Sequence, residues 1–478
     1  MALKIYNSLS SKKDEFKPQT SGRVNMYTCG VTVYDACHIG HARSLYIFEV
    51  IRRYLKFRGF DIKLVRNITD VDDKIINKAR EWAKRDKVSL KEAFDNVRNF
   101  YIKDYYKDLE SLGLPCADVE PKATDNIKEI QTYINDLIAI DFAYEKEGNV
   151  YFSPRKLKGY GDLSGNSLDQ VLESVRIEAD PLKEDPVDFA LWKKAKEEEP
   201  AWDSPWGKGR PGWHIECSVM SQKYLGVDTL DIHGGGRDLI FPHHENEKAQ
   251  AEALTGKKFA NYWIHHGLLT IDSQKMAKSL GNFVTIKDVL KRYPADILKI
   301  FYLQAHYSSS IDFSWKKMEE AKKAYERIER LKEKLEKTYG EVDASKPGKS
   351  GEGNIGEYRT AFMGAMDDDF NMPKALAVFF DMVYECNKLI ENNTQNKDLI
   401  LSDALSVMKE MAEVFCLTFL KQKLISLSDG EIEKKVKLRL KYKKEKDFKS
   451  ADKVRDELLE CGIIIEDTKD GKTTWRIS

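Results

Sequence analysis

Apolar positions alternate between short strand-like runs and longer stretches of helical period. Residues 24–28 read as a short strand entering a glycine turn at Gly30. Past residues 31–33, a loop leads to a helix-period pattern over 42–57, closed by Gly59. A strand over 61–68 and a helix over 70–84 follow. Strand, helix, strand, helix with short links predicts a parallel sheet wrapped by helices. Strand-like runs return at 230–233 and 262–271, so the stretch from about 116 to 200 reads as an insertion.

Farther along, residues 318–339 and 358–420 are helical by periodicity, and 343–356 between them is rich in Gly, Ser, Lys and Pro, as a surface loop is. The character changes after 426–430. A basic helix pair over 432–460 precedes Gly462, an apolar run at 463–465, a turn at Asp470 and Gly471, and a final run at 473–476. The expected fold class is α/β: a doubly wound parallel-sheet (Rossmann-like) catalytic domain with an insertion, then an α-helical bundle and a small mixed α/β C-terminal domain. Expected boundaries are 1–115 with 200–250 for the split catalytic domain, 116–199 for the insertion, 251–316 for a stem-contact region, 317–425 for the bundle and 426–478 for the tail.

A chain of 478 residues is too long for one core and suggests about three domains. Hydrophobic residues at 42% and charged residues at 33% suit folded globular domains. No run of eighteen apolar residues predicts a membrane-spanning helix, and the amino terminus lacks the apolar stretch of a secretory signal. A cytoplasmic location is expected. The net charge is zero, but between Lys434 and Arg455 eleven basic residues face three acidic ones. Seven widely scattered cysteines argue against a disulfide framework; reduced thiols, some able to hold a metal, are expected. Eight of the nine histidines fall in two windows, 38–41 and 214–266, leaving only His306 outside.

Three constellations carry chemistry. His38-Ile39-Gly40-His41 precedes the first long helix, whose amino end gathers N–H groups and partial positive charge suited to phosphate. Lys275-Met276-Ala277-Lys278-Ser279, flanked by Gly281, offers two cations to a triphosphate. A histidine turn after the first strand and a lysine loop after the last bracket one nucleotide site across such a sheet. The third is a metal set. His243 and Glu247, four apart on an expected helix opened by Pro242, share a face. Cys29 and Cys217 would add two thiolates to make a zinc-type set, although spacing alone does not bring the four together.

These strings resemble one family. CGVTVYDAC at 29–37 running into His38–His41, NITDVDDK at 67–74, GWHIECS at 212–218, DIHGGG at 231–236 with Asp238, and FPHHENE at 241–247 are similar to those of cysteinyl-tRNA synthetases, which are class I aminoacyl-tRNA synthetases. The likeness extends to Ala451, Asp452, Arg455 and Asp456 of the tail. It implies an enzyme that activates L-cysteine with ATP and Mg²⁺ and loads it onto tRNA(Cys), a single chain acting as a monomer. His38, Gly40, His41, Lys275 and Lys278 would handle ATP, and one Zn²⁺ would be held by Cys29, Cys217, His243 and Glu247. By the same resemblance Thr32 and Asp238 hold the substrate's amino end, and Trp213 walls its pocket. Ala277 departs from the usual serine, while both lysines remain.

Serine differs from cysteine by one atom, which shape alone separates poorly, whereas zinc prefers the softer sulfur. The insertion is too short for an editing domain. The basic stretch 434–455 and the tail through Trp475 resemble an anticodon-binding module. Two rival readings are a ligase joining cysteine to an amino sugar and a noncatalytic zinc protein that binds RNA. A dinucleotide oxidoreductase is disfavoured, because His38–His41 occupies the turn where a GxGxxG would lie. Cys37, Cys116, Cys386, Cys416 and Cys461 read as small core residues.

Overall fold

The chain opens with an antiparallel ribbon of β1 (Lys4–Asn7) and β2 (Lys12–Glu15). Next, β3 (Arg23–Thr28), α1 (Ile39–Phe57) and β4 (Asp61–Arg66) form a parallel unit, with Arg23 opposite Asp61 and Thr28 opposite Arg66. Helix α1 buries every residue from Leu45 to Arg52, so it runs through the core rather than over it. Two long helices, α2 (Asp73–Asp86) and α3 (Leu90–Ser111), start at side-chain caps: Asp72 accepts from the Lys74 N–H and Ser89 from the Glu92 N–H.

The insertion is a helix, α4 (Ile127–Ala139), on an antiparallel sheet of β5 (Ala143–Lys146), β6 (Asn149–Phe152), β7 (Phe189–Lys194) and β8 (Gly209–Pro211). Ile130, Ile134, Leu137, Val150, Phe152 and Trp192 form its core. Its last strand lies past residue 199. The chain returns through α5 (Trp213–Leu225), β9 (Leu230–Gly236), α6 (Glu245–Thr255) and β10 (Ala260–His266). The main sheet is thus four parallel strands in the order β10-β9-β3-β4. Thr28, Arg66, Gly236 and His266 end those strands along one edge, where open α/β sheets bind their ligands.

A second, three-stranded sheet follows: β11 (Leu269–Ile271) between β12 (Gln274–Lys275) and, after α7 (Ile286–Leu290) and α8 (Ala295–Leu303), β13 (Ile311–Phe313). The bundle comprises α9 (Trp315–Tyr339), α10 (Ile355–Asp367), α11 (Met372–Glu391) and α12 (Lys397–Val414). The tail packs α13 (Asp429–Lys444) and α14 (Phe448–Glu460) on a hairpin of β14 (Ile463–Asp467) and β15 (Thr473–Ile477). Ile432, Val436, Val454, Leu458, Ile463 and Ile465 are its separate core.

The computed structural model describes residues 2–167, 170, 180–276, 280–339, 355–392, 397–419, 429–445, 447–460, 463–467 and 473–477. Ala277, Lys278 and Ser279 of the lysine loop, residues 343–354 of the expected surface loop, Cys461, Gly462 and the turn at 470–471 lie outside them. The expected fold class holds throughout: parallel sheet, insertion, bundle and mixed tail. The six described cysteines are free thiols, and Cys116 is exposed rather than the core residue expected of it.

Candidate active site and metal centre

His38 is the amino-terminal cap of α1, so the helix begins at Ile39, inside the histidine turn instead of after it. Its Nδ1 accepts from the N–H groups of Gly40 (3.0 Å) and His41 (3.3 Å). His41 answers, its Nδ1 accepting from the His38 N–H at 3.2 Å. The N–H of Ile39 goes to the Val284 carbonyl and that of Ala42 to the His38 carbonyl. Every N–H of the first turn therefore has a partner, and the free helix-end donors expected for phosphate are already engaged. The candidate donors are instead the two imidazoles. With Nδ1 accepting on both rings, each neutral ring carries its proton on Nε2. The rings stack with centroids 3.7 Å apart. Gly40 makes this possible, because a Cβ there would stand 2.8 Å from the His38 ring. Burial brings His38 down to about 4, partly offset by Asp238, and depresses His41 well below its ordinary value. Both rings are neutral at pH 7, so what they can offer a ligand is hydrogen bonds rather than charge.

The lysine loop is held at both ends beside this turn. On one side β12 pairs Lys275 with Thr270 of β11. On the other, Thr285 bridges His38, and the Ile286 N–H donates to the Cys37 carbonyl at 3.1 Å. Met276 packs toward Gly40, its Cε 3.7 Å from where a Cβ would stand. Phe283 meets the His38 ring edge-on at 5.4 Å.

The four expected metal ligands converge although they lie on three different segments. The ligand atoms of Cys29, Cys217, His243 and Glu247 all lie within 4.8 Å of one another. Sγ of Cys29 and Cys217 are 3.9 Å apart, Cys217 Sγ is 3.6 Å from His243 Nε2, and His243 Nε2 is 2.9 Å from Glu247 Oε1. Tetrahedral ligands around a zinc ion stand about 3.3–3.8 Å from each other. The Cys217–His243 pair falls in that range while the two thiols stand slightly wider and His243–Glu247 closer, and the donor types suit such an ion. Cys29 follows β3, Cys217 lies in the first turns of α5, and Glu247 in the first turn of α6. His243 lies just before α6, not within it as the four-residue spacing suggested, yet still reaches Glu247.

Burial alone would raise the Glu247 carboxyl; His233 and His243 outweigh it and hold it well below the usual carboxylate range. Burial likewise pushes the Cys29 thiol up, whereas hydrogen bonds from Cys29 and His243 bring Cys217 below its ordinary value against burial. The same neighbours, Glu247 first, raise His243 to about 10 against burial, so the Glu247 carboxylate is balanced by an imidazolium whose proton a bound cation would displace.

Around it stand histidines that the sequence reading left without roles. His233 Nε2 lies 2.8 Å from Glu247 Oε2, leaving Oε1 toward the thiols. His214 Nδ1 meets His243 Nδ1 at 2.9 Å, which turns His243 Nε2 inward. His244 lies 3.3 Å from Cys29 Sγ and continues through His265 (2.8 Å) to the Ser8 hydroxyl (2.7 Å). Cys29, His233, His244 and Glu247 form a second, overlapping group of the same compactness. For His233 and His265 the signal was their place on β9 and β10, strands that run to the ligand-binding edge of the sheet, whereas His214 and His244 lie on and before helices and carried no such signal.

Of the three expected substrate contacts, Trp213 joins the centre: its ring stacks on His243 at 4.1 Å and stays 38% exposed, as a pocket wall does. Asp238 is exposed and lies on the His38 side, where it raises that imidazole. Thr32 bridges Thr69 across the loop after β3.

Two families match the chain: the tRNA synthetases class I (C) catalytic domain over residues 15–323 and the DALR domain over 361–420. Among curated relatives, the cysteine–tRNA ligase of Persephonella marina is 46% identical and that of Sulfurihydrogenibium sp. 47%, each match covering 100% of both chains. That of Aquifex aeolicus is 45% identical over 100% of this chain and 99% of its own. Among solved structures, the fold is similar to Mycobacterium tuberculosis methionyl-tRNA synthetase in complex with methionyl-adenylate, with a TM-score of 0.59 at 13% identity over 82% of this chain and 89% of that one. It is also similar to the LeuRS of an Agrobacterium radiobacter ternary complex with tRNA and LeuAMS, with a TM-score of 0.60 at 11% identity over 84% and 85%.

Proposed function

Because this chain belongs to the class I cysteine–tRNA ligases, we propose that its two adjoining centres divide one reaction, the histidine turn and lysine loop handling ATP while the Cys–Cys–His–Glu centre chooses the amino acid. The enzyme activates cysteine with ATP and transfers it to tRNA. The cysteine carboxylate attacks the α-phosphate, pyrophosphate leaves, and a ribose hydroxyl of the tRNA end then attacks the activated carbonyl.

In this reading the Nε2–H groups of His38 and His41 orient the phosphates, and Lys275 and Lys278 with a Mg²⁺ carried by ATP stabilise the departing pyrophosphate. Cys29, Cys217, His243 and Glu247 hold one zinc ion. That ion supplies a soft Lewis acid, which favours a thiolate over a hydroxyl and so cysteine over serine. His214 and His233 orient two of its ligands, and Trp213 excludes water beside it. Thr32 and Asp238 receive the substrate's amino group. The tail receives the anticodon of tRNA(Cys). Its cationic face is narrower than the charge count implied, because Arg439 is buried and Lys435 pairs with Glu457.

The observation that carries the reading is the convergence of two thiols, an imidazole and a carboxylate from distant segments. Metal content separates the two overlapping groups. Cys217→Ser is expected to lower bound zinc well below one per chain, and His244→Asn to leave it near one. The reverse pattern would transfer the ion to the group containing His233 and His244.

A further inference from the structure

Arg43 stands two residues after His41 on α1 and is 1% exposed. Its guanidinium pairs with no carboxylate among the described residues. It spends its donors on four backbone carbonyls: Nη1 donates to Gly267 (2.7 Å) and Leu268 (2.9 Å), Nη2 to Tyr307 (3.2 Å) and Ser309 (2.5 Å). Burial brings the guanidinium down to about 10, offset in part by Tyr302, so it stays charged at pH 7. A buried cation without a counter-ion is expensive, and an apolar side chain would fill the same space at no such cost. The four carbonyls are what it gains.

They belong to the two places where the second sheet is rooted. Gly267 and Leu268 connect His266, the end of β10, to β11, which turns directly into β12 and Lys275. Tyr307 and Ser309 lie in the turn that leads to β13, the parallel partner of β11. The two roots press together at Gly267, where a Cβ would stand 2.3 Å from the Ser309 carbonyl, so only glycine lets one guanidinium span both. The Gly267 N–H donates to the Tyr307 carbonyl and the Ile311 N–H to Leu268, each at 2.9 Å. One rigid helix thus carries the two imidazoles and the fork that anchors the lysine hairpin.

We propose that Arg43 is a positioning residue for adenylate formation, fixing the root of the Lys275 hairpin at a set distance from His38 and His41. This rests on the reading that Lys275 serves ATP, and a double-mutant cycle in cysteine-dependent ATP–pyrophosphate exchange separates the two. Arg43→Lys keeps the charge but loses the fork, and Arg43→Met removes a buried cation. Each is made alone and with Lys275→Ala, and kcat, both KM values and Tm are measured.

The expected result is a fall in kcat/KM for ATP on the order of tenfold to a hundredfold, the cost of an ångström-scale misplacement, with the KM for cysteine unchanged. In the Lys275→Ala background the same substitutions should cost less than about threefold, because the group they misplace is gone. Equal losses in both backgrounds, a parallel rise in the KM for cysteine, or loss of the folded protein in both variants would make Arg43 a structural residue and overturn the proposal. Full exchange in Lys275→Ala alone would overturn the reading beneath it, and the proposal with it.

Discussion

Glu247 shows how one side chain is shared between two tasks. One oxygen takes the His233 Nε2–H, and the other faces the thiols and His243. His38 is divided in the same way, Nδ1 accepting at the helix start and Nε2–H left, in the proposed reading, for the phosphates. The division can be tested. His38→Asn keeps an acceptor at the cap but loses the distal N–H, so stability should hold while pyrophosphate exchange falls by about a hundredfold. His38→Ala should lose the same activity and also about 1 kcal/mol of stability in thermal unfolding. Equal Tm values for the two variants would contradict the capping role.

These residue identities were legible in the sequence because they occur in ordered strings. Their hydrogen-bond duties were not. The capping geometry of His38 depends on where Val284 and Thr285 return, and Arg43 acts on carbonyls, which no side-chain pattern encodes.

At the scale of elements, α3 and α7 meet behind the histidine turn. Lys287 of α7 reaches Asp104 of α3, and Asp108, one turn on, is buried beside Cys37 with an oxygen that has no hydrogen-bond partner. Burial pushes the Asp108 carboxyl up to about 6, Lys287 opposing and Asp104 adding to the rise. A carboxyl whose folded pKa exceeds its unfolded value folds best protonated. Its penalty is absent below about pH 4, grows as pH rises, and is complete above pH 6, reaching at most about 3 kcal/mol. Asp108→Asn should therefore raise the Tm at pH 7.5 and leave it unchanged at pH 4. A gain at both would point to packing instead.

Helix and strand periods gave the main elements because α1, β3 and β4 are bounded by glycine and by capping side chains. The start of α1 shifted by three residues, since histidine is an unusual cap. The insertion's sheet closed later than expected, because β8 is a three-residue strand with too little apolar pattern to register.

At the scale of the molecule, the parallel sheet places both centres on one edge, while the tail has its own core and none of its described residues joins either centre. Removing residues 427–478 should leave cysteine-dependent pyrophosphate exchange intact and abolish charging of tRNA. Unimpaired charging would deny the tail its part in tRNA recognition. The order of sheet, insertion, bundle and tail was readable from periodicity together with composition shifts. The convergence of Cys29, Cys217, His243 and Glu247 was not, because contacts across nearly two hundred residues leave no local trace; only family resemblance anticipated them.

The account stands on a metal that selects sulfur next to an ATP site. Its most direct test is pyrophosphate exchange with cysteine and with serine, on the zinc-loaded protein, after chelation, and after zinc is restored. Exchange should be strong with cysteine and negligible with serine, vanish on chelation while the protein stays folded, and return with zinc. Undiminished, cysteine-selective exchange by the folded, metal-free protein would contradict it.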